Sequence, residues 1–334
     1  MAKVQRKRIG LVFAGGTALS QKPKPWELVR TAAGMRRWLD NFPELQVVAD
    51  VEPVFVTGKA ANQIGAAEWL QLAQAVKQHL TRVDGFVILH GIETLHFTAN
   101  ALSLMLRSLP MPVVLSGSPL RAGVPRSGQV EFGARANIVN AVEVATSDLN
   151  DVSVVFGNRI MRACKVQPEL VDGQLHLTTV DGSVLGRVDF GTKLFFGQPF
   201  TAKRKPAFNI HFDSNVVVTT LLPGTSSIGI RQGLDAAAVH GVVVRASQDF
   251  LAVSPEVQRE LEAAAEQGIP VVVTSSHKLR SLPKRLISLV GLSPSMAVVK
   301  VMWALGATHD RNKLQRLLEA NVAGEFTKEF PPPA

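Results

Sequence analysis

The sequence predicts an α/β protein of two domains: a larger N-terminal one with a mostly parallel sheet flanked by helices, and a smaller C-terminal α/β one. Three observations predict it. Short, continuously apolar runs such as Gly85-Phe-Val-Ile-Leu89 read as strands covered on both faces. Stretches with apolar spacing of three and four, the signature of helices packed by one face, lie between those runs. The alternation lapses between residues 175 and 205 and then resumes.

Taken in order, residues 9–13 read as a buried strand ending at Gly15-Gly16, and residues 26–38 as a helix. Residues 47–56 are strand-like, 66–80 helical, 85–89 a buried strand, and 95–106 helical. Strands over 112–115 and 152–156 flank a helix over 134–146. Val180-Asp-Gly-Ser183 has the composition of a hairpin turn, while Gly191-Thr-Lys193 and residues 198–206 look like linker. The second block has strands over 216–222, 241–244 and 270–273 and a helix over 230–238. It also has a helix opened by Ser254-Pro255-Glu256, with Ser as N-cap and Pro in the first turn, which stops at Gly268. The expected boundaries are 1–195 for the first domain, 196–212 for a linker and 213–330 for the second.

Composition narrows the function. The 334 residues are 46% hydrophobic and only 19% charged, which suits packed cores or a subunit interface and argues against disorder. No uninterrupted apolar run is long enough to span a bilayer, and the basic start runs directly into the first strand without a signal-peptide core. Cys164 is the single cysteine, so no intrachain disulfide forms; a cytoplasmic location and a buried hydrophobic role for Cys164 are expected. The net charge of +9 could attract nucleic acid, but the basic residues are scattered and the chain contains no Tyr, so a stacking platform is poorly supplied. The histidines show no ligand spacing with acids or cysteine, and no metal or cofactor is expected.

Several segments carry a family resemblance in chain order: Ala14-Gly-Gly-Thr17 after a strand, Asp84-Gly-Phe-Val-Ile-Leu-His-Gly91 followed by a helix containing Thr98 to Ser103, and Pro112-Val-Val-Leu-Ser-Gly-Ser118. Phe156-Gly-Asn-Arg159 and the ending Gly324-Glu-Phe-Thr327 add weaker echoes. Together the chain resembles cytoplasmic-type bacterial L-asparaginases. The resemblance implies amide hydrolysis, in which a threonine attacks the side-chain amide and fixed donors stabilise the oxyanion. It also implies a dimer or tetramer.

Mapped residue by residue, the resemblance gives Thr17 as the nucleophile, with Gly16 permitting close approach of the loop. The family's second threonine falls at Ile92, its aspartate at Glu93, and its lysine at Pro168, with Lys165 the nearest lysine. The substrate-binding serine falls at Ala61, beside Asn62 and Gln63, and the lid tyrosine has no counterpart. The expectation is therefore an asparaginase-like protein without ordinary L-asparaginase activity. It would bind a small amide or amino-acid ligand, or a protein partner, as a homo-oligomer or a co-assembly. The alternative is an amidohydrolase of altered specificity using Thr17, Glu93 and Lys165. RNA association, by analogy with an asparaginase-like amidotransferase subunit, is the third and thinnest reading.

Overall fold

The computed structural model describes residues 6–16, 29–118, 129–189, 191–195, 205–222, 224–234, 238–246, 254–275, 279 and 282–327. The chain divides into two compact units, Met1–Ile210 and His211–Ala334.

The first unit opens with β1 (Arg8–Ala14), whose apolar residues are fully buried. Helix α1 (Ala32–Leu39) begins later than the apolar spacing suggests, because the Thr31 hydroxyl accepts the Gly34 amide at 3.1 Å and fixes the N-terminus there. Residues 47 and 48, expected as the start of a strand, instead close the single helical turn α2 (Leu45–Val48), and β2 (Asp50–Thr57) starts after it. Strand β2 tolerates Pro53 because it lies at the edge of the sheet, where an amide can be spared. Helix α3 (Ala66–His79), strand β3 (Gly85–Gly91) and helix α4 (Ile92–Met105) follow as expected, except that α4 begins three residues early, directly after Gly91. Then come the two-residue β4 (Leu106–Arg107), β5 (Val113–Ser118), α5 (Gln129–Ala145) and β6 (Val152–Phe156).

The stretch expected to hold a hairpin at 180–183 and linker after it is more regular. Strand β7 (Arg159–Arg162) leads through a 3-10 turn, Ala163–Lys165, into β8 (Val166–Val171) and β9 (Gln174–Thr179). The β8–β9 hairpin turns at Asp172-Gly173, both with positive φ, the demand of a two-residue turn of that hand. The second Asp-Gly pair, Asp181-Gly182, makes a loop instead. Residues 192–194 are strand β11 (Thr192–Leu194) against β10 (Gly186–Val188), and β12 (Ala207–Phe208) pairs with β4.

The large sheet has the order β11-β10-β7-β6-β5-β3-β1-β2. From β6 to β2 all neighbours are parallel, and β7, β10 and β11 add an antiparallel edge. Strand order reverses at β1, whose neighbours β2 and β3 lie on opposite sides, so the crevice at the C-terminal ends of β1 and β3 is where such sheets bind ligands.

The second unit is a four-stranded parallel sheet in the order β13-β14-β15-β16, comprising β13 (Val216–Leu221), β14 (Gly241–Ala246), β15 (Val271–Ser275) and β16 (Ile287–Val290). Its helices are α6 (Ser227–Leu234), α7 (Pro255–Glu266), α8 (Pro294–Ala307) and α9 (Arg311–Glu319). The Ser254 hydroxyl accepts the Val257 amide at 3.3 Å, as its Ser-Pro signal predicts, and Ser293-Pro294 starts α8 in the same way. No helix among the described residues is long and apolar enough to cross a membrane.

Candidate active site

Three backbone segments meet where β1 and β3 end. Gly15 and Gly16 follow β1 with φ of 80° and 86°, and the Gly16 amide donates to the Lys59 carbonyl at 3.0 Å. A methyl group on Gly16 would lie 2.2 Å from the Gly91 nitrogen; one on Gly91 would lie 2.5 Å from the Ala61 Cβ and 2.9 Å from Glu93 Oε2. Gly16, Ala61, Gly91 and Glu93 therefore share one point, and only glycine fits where the loop after β1 crosses the β3–α4 junction. Gly16→Ala should cost clearly more stability than Gly157→Ala. Gly157 also has positive φ but open space around it, so it bears only the ~1–2 kcal/mol strain of a left-handed residue. Equal shifts in urea midpoint for the two variants would mean that the close approach is not a constraint.

The residues named from sequence fall as follows. Thr17 lies outside the described residues. Ala61 is buried in a 3-10 turn, Ala61–Gln63, whose Asn62 and Gln63 are exposed. Gln63 Oε1 accepts the Ala60 amide at 3.3 Å, and Thr94 ties this turn to α4 by donating to the Ala61 carbonyl at 2.6 Å. Ile92 is the first residue of α4 and is buried; Glu93, next to it, is exposed. Gly91 has no side chain with which to cap α4, so among the described residues the first-turn amides and the positive end of the helix face the junction without a cap.

Lys165 is buried in the turn Ala163–Lys165, which packs against α4, and its ammonium is held by Asp181 at 2.5 Å. Burial works against ionisation of Asp181. The bonds from Lys165 and from the Ser183 hydroxyl and amide outweigh it and leave the carboxyl below its ordinary range. The partner of Lys165 is thus a carboxylate supplied by the second Asp-Gly loop. No spacing rule points to that pairing, although Asp181 is the acid of a turn motif already visible in the sequence. Pro168, the position where spacing places the family's lysine, lies in β8. Cys164 is fully buried, as a small hydrophobe would be.

A buried polar chain supports the junction from beneath. Trp69 Nε1 donates to the Thr98 hydroxyl at 3.0 Å, Thr98 is 2.9 Å from His90 Nε2, and His90 Nδ1 is 2.8 Å from the Gly91 carbonyl. One assignment satisfies every atom: a neutral His90 with its proton on Nδ1, accepting from Thr98 at Nε2. Full burial drives the His90 pKa down to about 4, against a partial upward pull from the Gly91 carbonyl. This chain fixes where β3 ends and α4 begins.

The sequence model described as Asparaginase, N-terminal matches residues 8–195. An L-asparaginase of Thermococcus kodakarensis is 28% identical over 300 residues, covering 84% of this chain and 87% of that protein. A Glutamyl-tRNA(Gln) amidotransferase subunit of Methanosarcina barkeri is 25% identical over 344 residues, covering 96% of this chain and 79% of that protein. Among solved structures, L-asparaginase I from Vibrio cholerae superposes with a TM-score of 0.81 at 24% identity, covering 96% of this chain and 99% of that one. A probable cytoplasmic L-asparaginase from Campylobacter jejuni gives 0.76 at 22% identity, covering 94% and 99%. With the family match spanning more than half its length and covering every strand of the large sheet, this chain belongs to the asparaginase family.

Proposed function

We propose that this protein is an asparaginase-scaffold binding protein without ordinary L-asparaginase activity. It holds a small amide or amino-acid ligand, or a protein partner, as part of a cytoplasmic homo-oligomer or co-assembly. The observation that carries the reading is Ile92. It stands buried at the start of α4, where the resemblance calls for a threonine, and a branched hydrocarbon can neither donate, accept nor position water. Lys165 adds to this, because its ammonium is already engaged by Asp181. Loss of one stabilising donor typically costs about 100- to 1,000-fold in rate, and residues acting as a unit fail together. The amidotransferase relative is named as one component of a larger enzyme, which favours a partner. It also keeps RNA association as a minor reading, which salt-insensitive elution without bound nucleic acid would remove.

The competing reading is an amidohydrolase of altered specificity with Thr17 as nucleophile, Glu93 as base and Lys165 as its orienter. The exposed Glu93 carboxylate over Gly91 and the uncapped amides of α4 favour it. Ammonia release from L-asparagine, L-glutamine and amides lacking an α-amino group separates the two. Wild type and Thr17→Ala should release ammonia equally slowly. A drop of 100-fold or more in Thr17→Ala, of the order expected for loss of a catalytic group, would establish the amidohydrolase instead. Copurification with mass spectrometry identifies the partner, and a monomer recovered alone would count against co-assembly.

A further inference from the structure

We propose that Asp213, His240 and His309 form a binding site for a divalent first-row transition metal of the zinc type in the C-terminal unit. The site goes beyond the proposed function and uses none of its residues. Spacing in the sequence predicts no such site, because the three residues come from distant segments. Asp213 precedes β13, His240 immediately precedes β14, and His309 lies between α8 and α9.

Their ligand atoms all lie within 4.8 Å of one another. His240 Nδ1 is 2.5 Å and His309 Nε2 3.8 Å from the same oxygen, Asp213 Oδ2, and the two imidazole rings stand edge to face with centroids 5.1 Å apart. Two imidazoles and one carboxylate make a ligand set suited to Zn²⁺, Co²⁺ or Ni²⁺ and poorly suited to Mg²⁺ or Ca²⁺, which favour all-oxygen sites. Such a set leaves a fourth position for water.

The supporting contacts hold the three groups in place. The Asn215 amide donates to Asp213 Oδ1 at 2.9 Å, which leaves Oδ2 facing the histidines. The Asp213 amide is anchored on the Met302 carbonyl at 2.9 Å and the His240 amide on the Asn215 carbonyl at 2.8 Å. His309 is fixed between two helix ends: Thr308 terminates α8, and Asp310 caps α9 by accepting the Lys313 amide at 2.8 Å. The Asp310 carboxylate is thereby committed to its own helix.

His240 Nδ1 lies in hydrogen-bond contact with Asp213 Oδ2, so as the donor its ring nitrogen carries a proton there. The metal takes that proton's place, and the proton leaves to solvent. Ligand atoms ~2.0 Å from a tetrahedral ion stand ~3.3 Å apart, so His240 and Asp213 part by less than about 1 Å, His309 closes on Asp213 by less than about 1 Å, and the two ring nitrogens, within 4.8 Å of each other, close by at most about 1.5 Å. A metal here would clip together the entries to β13 and β14 and the α8–α9 turn.

Titration of the full chain with Co²⁺, followed by calorimetry and visible absorption, tests this. Wild type should bind one equivalent with the intense visible bands of a low-coordinate ion, and Zn²⁺ should displace it and raise the thermal midpoint. His309→Ala removes an exposed side chain, so its midpoint without metal should equal that of wild type. Its Co²⁺ affinity should fall at least 100-fold, and His240→Ala should behave likewise toward the metal. Absence of binding below millimolar Co²⁺, or equal binding by wild type and His309→Ala, overturns the proposal.

Discussion

Lowering the pH from 7 to 5 should destabilise the N-terminal unit by about 2 kcal/mol for each of two buried histidines, His90 and His96. Burial lowers both pKa values from the ordinary 6.5 to about 4, and for His96 the neighbouring His90 adds to the effect. The fold therefore holds both rings neutral between those values, whereas the unfolded chain takes up a proton on each. Fewer protons bound in the folded state means that stability rises with pH. The contribution is complete above pH 6.5 and is lost as pH falls toward 4. The structural reason differs for the two rings. His90 has both nitrogens satisfied only when neutral, as donor to Gly91 and acceptor from Thr98, so a second proton would break the Thr98 contact. His96 stacks on Phe97 with its Nδ1 buried and unpartnered. Carboxylates held below their ordinary range, such as Glu68, lose their stabilisation in a lower window, beneath about pH 4.5, and do not mimic the effect. Urea unfolding at a series of pH values measures it. His96→Phe should remove about half the slope between pH 6.5 and 5. A flat stability profile there would show that the rings are not held neutral.

Replacing Lys300 by Met should cost about 3–5 kcal/mol, the usual consequence of stripping one member from a buried ion pair. Lys300 and Glu325 have no exposed side-chain surface and meet at 2.6 Å. The ammonium also donates to the Ala320 carbonyl at 2.6 Å and lies 4.5 Å from the centre of the Phe326 ring. The carboxylate accepts the Val322 amide at 3.1 Å and the Ala323 amide at 2.7 Å, so it ties the chain after α9 back onto α8. Without Lys300 those amides still hold a charge that nothing neutralises. The double variant Lys300→Met/Glu325→Leu removes that charge and should recover part of the loss. Recovery stays incomplete, because the two amides then lose their acceptor. Calorimetric unfolding of the three proteins checks the order wild type, double, single. A single variant within 1 kcal/mol of wild type would show that the pair does not support the C-terminal unit.

The glutamate of this pair belongs to the Gly324-Glu-Phe-Thr327 ending, which in the sequence is only a family echo. Its physical role is to neutralise a lysine that periodicity alone would place among the core residues of α8.

Much of the fold is legible without coordinates, because burial on both faces leaves a one-dimensional trace: unbroken apolar runs for the central strands and three-four spacing for the helices between them. Cap signals such as Ser254-Pro255 act within a few residues and are legible for the same reason. Elements whose form depends on distant partners are less so. Residues 47–48 turn as a helix instead of opening a strand, residues 192–194 become an edge strand because β10 offers a ladder, and of the Asp-Gly pairs at 172–173 and 181–182 only the first closes a hairpin. The site divides along the same line. By itself the sequence determined the α/β class, the glycine loop after β1 and the presence of Ile92 and Glu93 where a threonine and an aspartate are expected. Only the tertiary structure decided that Gly16, Ala61, Gly91 and Glu93 converge on one point, that Lys165 is held by Asp181, and that Asp213, His240 and His309 gather at one end of the second sheet. Local backbone preference and burial act over a few residues and leave their mark in the order of amino acids. The meeting of side chains from distant segments is set by the register and crossovers of the sheets, which no short stretch of sequence encodes.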